Sequence, residues 1–201
     1  MMFLSTELVL VSALSLVTGV VSKTSDLFND DGLTSFPRAS ELSGLLWALT
    51  GALLIAIDPA VAAVWLATVL YWFLRRKLDH FNHAVAGVTM CATGLFAADR
   101  GNVHLGGFLA LFAWLTASGY ANTWLKEKYA ARVRLQKFLR LRLRYYAGPL
   151  ALAVYCADIL PAATILCGML GTEAVTILWS RKTSRSVIDF TGTPAPTLAR
   201  D

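Results

Sequence analysis

The chain has 201 residues, 56% of them hydrophobic and 15% charged, whereas soluble domains carry about a quarter charged residues. Mean hydropathy is +0.57, net charge is +5 and the isoelectric point is near 9.3. Charge is confined to short stretches between nearly charge-free runs, which excludes a single soluble core. The basic residues flank apolar runs, so they fit membrane orientation and anionic headgroups, not nucleic acid. Cys91, Cys156 and Cys167 lie in apolar runs with no zinc-like spacing, and an odd count excludes a closed disulfide framework.

Taken in order, seven apolar runs read as candidate spans: 8–22, 42–57, 60–74, 84–98, 103–121, 146–157 and 160–180. The first has no basic region before it and no small-residue cleavage site after it, so it reads as a retained helix. Asp58-Pro59 marks a turn between the second and third runs, because proline suits a first helical turn. Asp99-Arg100-Gly101-Asn102 marks another turn, and Gly148-Pro149 is a candidate kink in the sixth run. The polar tail, 183–201, reads as disordered.

If the first span runs outward to inward, all but Arg100 of the 18 basic residues face the cytoplasm. The fold class expected is therefore an all-α, polytopic transmembrane bundle over 1–182. The N-terminus is outside and the C-terminus cytoplasmic, in the plasma membrane of a prokaryote. Within it, 124–144 interleaves Leu135, Phe138, Leu139 and Leu143 with arginines and lysines. That pattern suits either an amphipathic helix at headgroup level or a solvated cytoplasmic connector.

Two junctions resemble each other. Lys23-Thr24-Ser25-Asp26-Leu27-Phe28-Asn29-Asp30 follows the first run, and Arg76-Lys77-Leu78-Asp79-His80-Phe81-Asn82-His83 follows the third. Both read basic-x-x-Asp-x-Phe-Asn-(Asp/His). One span out and one back separate them, so both fall on one membrane face. If the flanking helices continue, Asp26, Asn29 and Asp30 share one face, as do Asp79, Asn82 and His83. Carboxylates and carboxamides gathered this way suit Mg²⁺ together with a substrate phosphate. As polar helix ends they equally suit caps and turns. Glu173, inside the last run after Gly168 and Gly171, is the other candidate: a proton or coupling site, or a hydrogen-bond partner for a neighbouring helix.

Over about residues 23–94 the layout resembles the UbiA-type membrane prenyltransferases. Asp26-Leu27-Phe28-Asn29-Asp30-Asp31 resembles their first Asp-rich motif, followed by the basic, proline-containing Phe36-Pro37-Arg38. Tyr71, Arg76 or Lys77, Asn82 and Ala86-Gly87 resemble the next cytoplasmic junction of that family. The second Asp-rich motif has no counterpart, since Asn122, Lys126, Glu127 and Lys128 stand in its place. The resemblance implies a Mg²⁺-dependent enzyme of lipid or isoprenoid metabolism, taking a phosphate- or diphosphate-bearing lipid at the cytoplasmic face.

On this reading Asp26, Asn29, Asp30 and Asp79 hold the metal. Lys23, Arg38, Arg76, Lys77 and Asn82 bind phosphate, and His83 acts as a base beside Asp26, Asp30 and Asp79. Membrane lipids are the expected partners. The competing classes are a small-solute or ion transporter with Glu173 as its intramembrane site, and a non-catalytic membrane scaffold.

Overall fold

The computed structural model describes residues 5–30, 33, 37–76, 80–132, 134–135 and 143–189; of Asp30 and residues 182–189 it describes the backbone alone. The described residues form seven helices and no strand. They are α1 (Thr6–Asp30), α2 (Ala39–Ile57), α3 (Pro59–Leu74), α4 (Phe81–Asp99), α5 (Leu105–Lys128), α6 (Arg144–Cys156) and α7 (Leu160–Asp189). Each apolar run of the sequence overlaps one of them. Four, α1, α2, α4 and α7, are long and apolar enough to cross a membrane.

The helices are set by local chemistry. Asp58 caps α3, its Oδ1 accepting from the backbone N–H groups of Ala60 at 2.9 Å and Val61 at 2.8 Å. Pro59 opens the helix at N1, where its missing N–H costs nothing. At the same end of the bundle His104 Nδ1 accepts from Gly107 N and caps α5, while Asp158 accepts from Leu160 N and starts α7. Gly101 turns the chain between α4 and α5 at φ 73°, a conformation that suits a residue without Cβ.

Two boundaries differ from the sequence reading. First, α1 runs on through Asp30 and α7 through Asp189, so helix continues into stretches that hydropathy assigns to the flank and the tail. A helix needs no apolar side chains once its backbone bonds are satisfied internally. Second, α3 does not continue into the second junction. It ends at Leu74, and Arg76 takes a left-handed turn at φ 51°. Asn82 and His83 therefore open α4 and do not close α3. Of the amphipathic segment 124–144, residues 133 and 136–142 lie outside the described residues; its start belongs to α5, which ends at Lys128.

Helix α3 is the hub. It packs against α2, α4, α5, α6 and α7, while α1 lies against α2 and α7. Ten of its 16 residues are buried, on every side of the helix, as expected of a helix apolar all round. The packing is inside-out relative to a soluble bundle. Ser15, Thr18, Thr50, Thr68 and Thr164 are buried, while Leu45, Leu49, Leu95, Leu105, Leu170 and Leu178 are exposed. Exposed leucine on this scale needs an apolar surrounding. This is the surface of a helical membrane protein.

The buried hydroxyls are partnered. Ser15 Oγ and Thr164 Oγ1 lie 2.6 Å apart, and Trp65 Nε1 donates to Thr164 at 2.8 Å, linking α1, α7 and α3. The first and last helices meet along glycines. A Cβ on Gly19 would collide with the Gly168 carbonyl, and one on Gly171 with the Leu16 carbonyl. Without a hydrophobic driving force between helices in lipid, such close approach supplies the packing energy.

Gly171→Ala should lower stability by about 1–3 kcal/mol, read by thermal unfolding in detergent, because backbone must move to admit the methyl. Gly106→Ala should be neutral or slightly stabilising, since its nearest neighbour is His104 at 3.9 Å.

Candidate functional site

All helices alternate in direction along the chain, so one end of the bundle collects the last turns of α1, α3 and α5 and the first turns of α2, α4 and α6. Lys23, Arg38, Arg75, Arg76, Lys126, Lys128 and Arg144 all lie toward this basic end.

Here the two similar junctions meet, 53 residues apart in the chain. Asn29 Nδ2 donates to Asn82 Oδ1 at 2.7 Å. Asn82 Nδ2 donates to Ser40 Oγ at 3.2 Å, and Ser40 Oγ donates to Asn29 Oδ1 at 3.2 Å. The three side chains close a ring that joins α1, α2 and α4. Asn82 Nδ2 also reaches Ser25 Oγ, and Asn82 Oδ1 accepts from the backbone N of His83. Asn82 is 2% exposed, so a full set of partners is what makes its burial tolerable. Gly44 on α2 permits the approach, because a Cβ there would stand 2.6 Å from Asn82 Cα.

Beside the ring, His83 Nε2 lies 3.1 Å from Asp26 Oδ1, and Lys23 Nζ lies 3.8 Å from Asp26 Oδ2. The three differ in exposure. His83 is buried, with its ring edge-on to Trp47 at 5.5 Å and to His80 at 5.5 Å. Asp26 and Lys23 open toward the end of the bundle. Asp26 therefore presents a half-exposed carboxylate that bridges a buried imidazole and an ammonium. A carboxylate in this position can fix the imidazole's orientation.

Two of the phosphate-binding candidates have unusual backbone. Arg38 stands just before α2 at φ 63° and Arg76 just after α3 at φ 51°, both left-handed and both exposed. Non-glycine residues held there cost about 1–3 kcal/mol each and gather at functional turns.

The sequence reading placed metal ligands at Asp26, Asn29, Asp30 and Asp79. Asp79 and Lys77 lie outside the described residues, as does the Asp30 side chain. Of the remainder, the Asn29 oxygen is taken by Ser40, and the Asn82 oxygen by Asn29 and His83. Asp26 is the one described carboxylate at the junction. Among the described residues no group of three His, Cys, Asp or Glu side chains is placed to hold an ion. Asn29 and Asn82 clamp α1 and α4 together.

Glu173 is exposed on α7 and so does not line the interior of the bundle. An intramembrane coupling site facing a central cavity is not what this position offers. His104 caps α5 at the opposite end. Sequence reasoning missed Ser25, Ser40 and Trp47. Ser25 was within reach, since it stands four residues before Asn29 on the same helical face. Ser40 and Trp47 sit on α2, and no local pattern ties them to the junctions.

Comparison with protein-family models, with curated proteins and with solved structures gives no match for this chain.

Ser40→Ala should lower stability by about 1–3 kcal/mol, because it leaves Asn29 Oδ1 and Asn82 Nδ2 short of a partner in a buried site. Lys23→Gln should change thermal stability far less, its pair with Asp26 being partly exposed.

Proposed function

We propose that the chain is a multi-pass membrane enzyme that acts on a lipid carrying a phosphate or diphosphate, at the basic end of the bundle. In this reading all seven helices lie in the membrane, with the basic end in the cytoplasm and the N-terminus outside. The membrane is the plasma membrane of a prokaryote. Support for the orientation is the charge asymmetry, since Arg100 is the lone exception among 18 basic residues.

The observation that carries the functional reading is the Asp26–His83 contact at 3.1 Å. It joins two junctions distant in sequence, and it sets an imidazole beside a carboxylate that also meets Lys23. Lys23, Arg38 and Arg76 neutralise phosphate oxygens, so that negative charge developing on a leaving phosphate or diphosphate is stabilised. Asp26 holds the His83 imidazole, which takes up the proton of the attacking group. The apolar tail lies along the leucine-rich outer faces of the helices. A resemblance to UbiA-type prenyltransferases over residues 23–94 points to the same substrate chemistry. No step is assigned to a metal ion.

Thermal unfolding in detergent, with farnesyl diphosphate, phosphatidate or no addition, tests this. A lipid phosphate should raise Tm by about 3 °C or more, and Asp26→Asn and Lys23→Gln should diminish the shift. Repeating the titration in EDTA asks whether a divalent cation takes part. No shift with any lipid phosphate, or an undiminished shift in both variants, contradicts the reading. Arg38→Gly should separate the two roles of that residue. It should raise basal stability by about 0.5–1 kcal/mol, by relieving the left-handed strain, and weaken the lipid-induced shift.

A further inference from the structure

A second polar cluster lies at the basic end, between α3, α5 and α6, and none of the junction residues belongs to it. Tyr71 on α3 is 2% exposed. Its hydroxyl sits where a Cβ on Gly119 of α5 would be, and the Arg144 side chain on α6 lies near it. The Tyr71 and Tyr145 rings meet edge-on at 6.2 Å. Arg75, one turn beyond Tyr71, donates to Thr123 Oγ1 at 2.9 Å and stacks over the Tyr120 ring at 4.9 Å. The Arg144 guanidinium lies 4.8 Å from the Tyr145 ring. Its Nε is buried and has no hydrogen-bond partner among the described residues.

Both arginines are half-buried, and neither has a carboxylate partner among the described residues. The sequence offers little to supply one. The three helices that form the cluster carry a single acidic residue, Glu127, and it is exposed. Two sheltered guanidinium groups without a counter-charge are costly, and an anion of matching geometry removes that cost.

The surroundings of the cluster point to where the anion comes from. At 1.5 Å per residue α3 is about 24 Å long and α6 about 20 Å, against about 36 Å for α5. The hydrocarbon core of a bilayer is about 30 Å thick. Arg75 follows the last residue of α3 and Arg144 is the first of α6, so both stand short of the end of α5. The level of Arg144 is marked by its carbonyl, which accepts from Trp114 Nε1 near the middle of α5, at 2.9 Å. Trp114 and Tyr120 are both exposed on the outer face. Beyond them Lys128 stacks on Trp124 at 4.5 Å and Arg132 on Tyr129 at 5.0 Å, continuing a cation–aromatic series along the same side. The exposed aromatics set the cluster beside the outward-facing side of α5, where in a membrane the anion within reach is the phosphate of a phospholipid.

We propose that Arg75, Arg144, Tyr71 and Tyr145 form a binding site for the phosphate of an anionic membrane phospholipid, drawn into the recess above the short helices α3 and α6. The guanidinium forks hold the phosphate oxygens, and the tyrosine hydroxyls fix its position. The acyl chains lie against Trp114 and the outer face of α5. The site is separate from the Asp26–His83 junction, so it holds a lipid that is bound and not transformed.

The test uses the full chain in detergent. Phosphatidylglycerol, phosphatidylcholine and inorganic phosphate are titrated in turn while Tm is followed, and native mass spectrometry counts the lipid retained from an equimolar mixture of the two phospholipids. Phosphatidylglycerol should raise Tm by about 3 °C or more and be retained in preference to phosphatidylcholine. Arg75→Gln with Arg144→Gln should weaken its apparent affinity tenfold or more, whereas Asp26→Asn and Arg132→Gln should leave the effect in place. Should the double glutamine variant fail to fold, the Arg144→Lys variant serves. It keeps the charge, loses the fork, and should bind with intermediate affinity. Equal shifts with phosphatidylcholine or with inorganic phosphate would overturn the proposal, as would full retention of the lipid by either arginine variant.

Discussion

Asn82 is the residue on which the basic end of this bundle depends. A carboxamide has two donors and two acceptor lone pairs, and burial makes each one obligatory. Asn82 spends them on Asn29, Ser40, Ser25 and its own neighbour His83, and so draws α1 and α2 onto the first turn of α4. In a membrane, where apolar contact gives helices little reason to prefer one neighbour to another, a satisfied polar cluster can set register. The Asp26–His83 contact follows from it. His83 is the next residue, and Asp26 stands one turn before Asn29, so closing the asparagine ring brings imidazole and carboxylate together.

Helix α3 organises the rest by being short and buried. Its 16 residues reach five other helices, and its last turn divides the basic end into two chemically distinct parts. On one side Trp72 stacks edge-on against Trp47, which in turn covers His83. On the other, Tyr71 faces Tyr145 and Arg144. Adjacent residues thus look into an asparagine–carboxylate junction and an arginine–tyrosine recess. The first carries the only described carboxylate near a sheltered histidine. The second carries paired cations without an acid. The proposed function assigns turnover to the first, and the proposed lipid site assigns retention to the second.

Much of this was legible in the sequence, and the parts that were not share a cause. The helices follow from hydropathy, and the Asp58-Pro59 and Gly101 turns from local stereochemistry. The likeness of the two junctions, with their placement on one membrane face, pointed to their meeting. What that likeness could not give was the role of the asparagines. They read as ligands, yet their oxygens are consumed by Ser40, Asn29 and the His83 amide. Roles of this kind depend on the rotation of α2 about its axis, which brings Ser40 and Gly44 to the junction, and apolar periodicity is weak where lipid and protein interior are both apolar. Glu173 failed for the same reason. Its depth could be read from the chain, but the face it occupies could not. The arginine recess depends on differences in helix length, and those appear when α3 ends at Leu74 and α6 begins as late as Arg144.

The central claim is that the two junctions form one coupled site through the Asn29–Asn82 hydrogen bond. A double-mutant cycle on Asn29→Ala and Asn82→Ala, read as unfolding free energy in detergent, measures that coupling. The structure predicts an interaction energy of about 0.5–3 kcal/mol, because each substitution removes the same bond. Additive effects of the two substitutions, within about 0.3 kcal/mol, would show that the junctions do not touch, and the account of the site would fail with them.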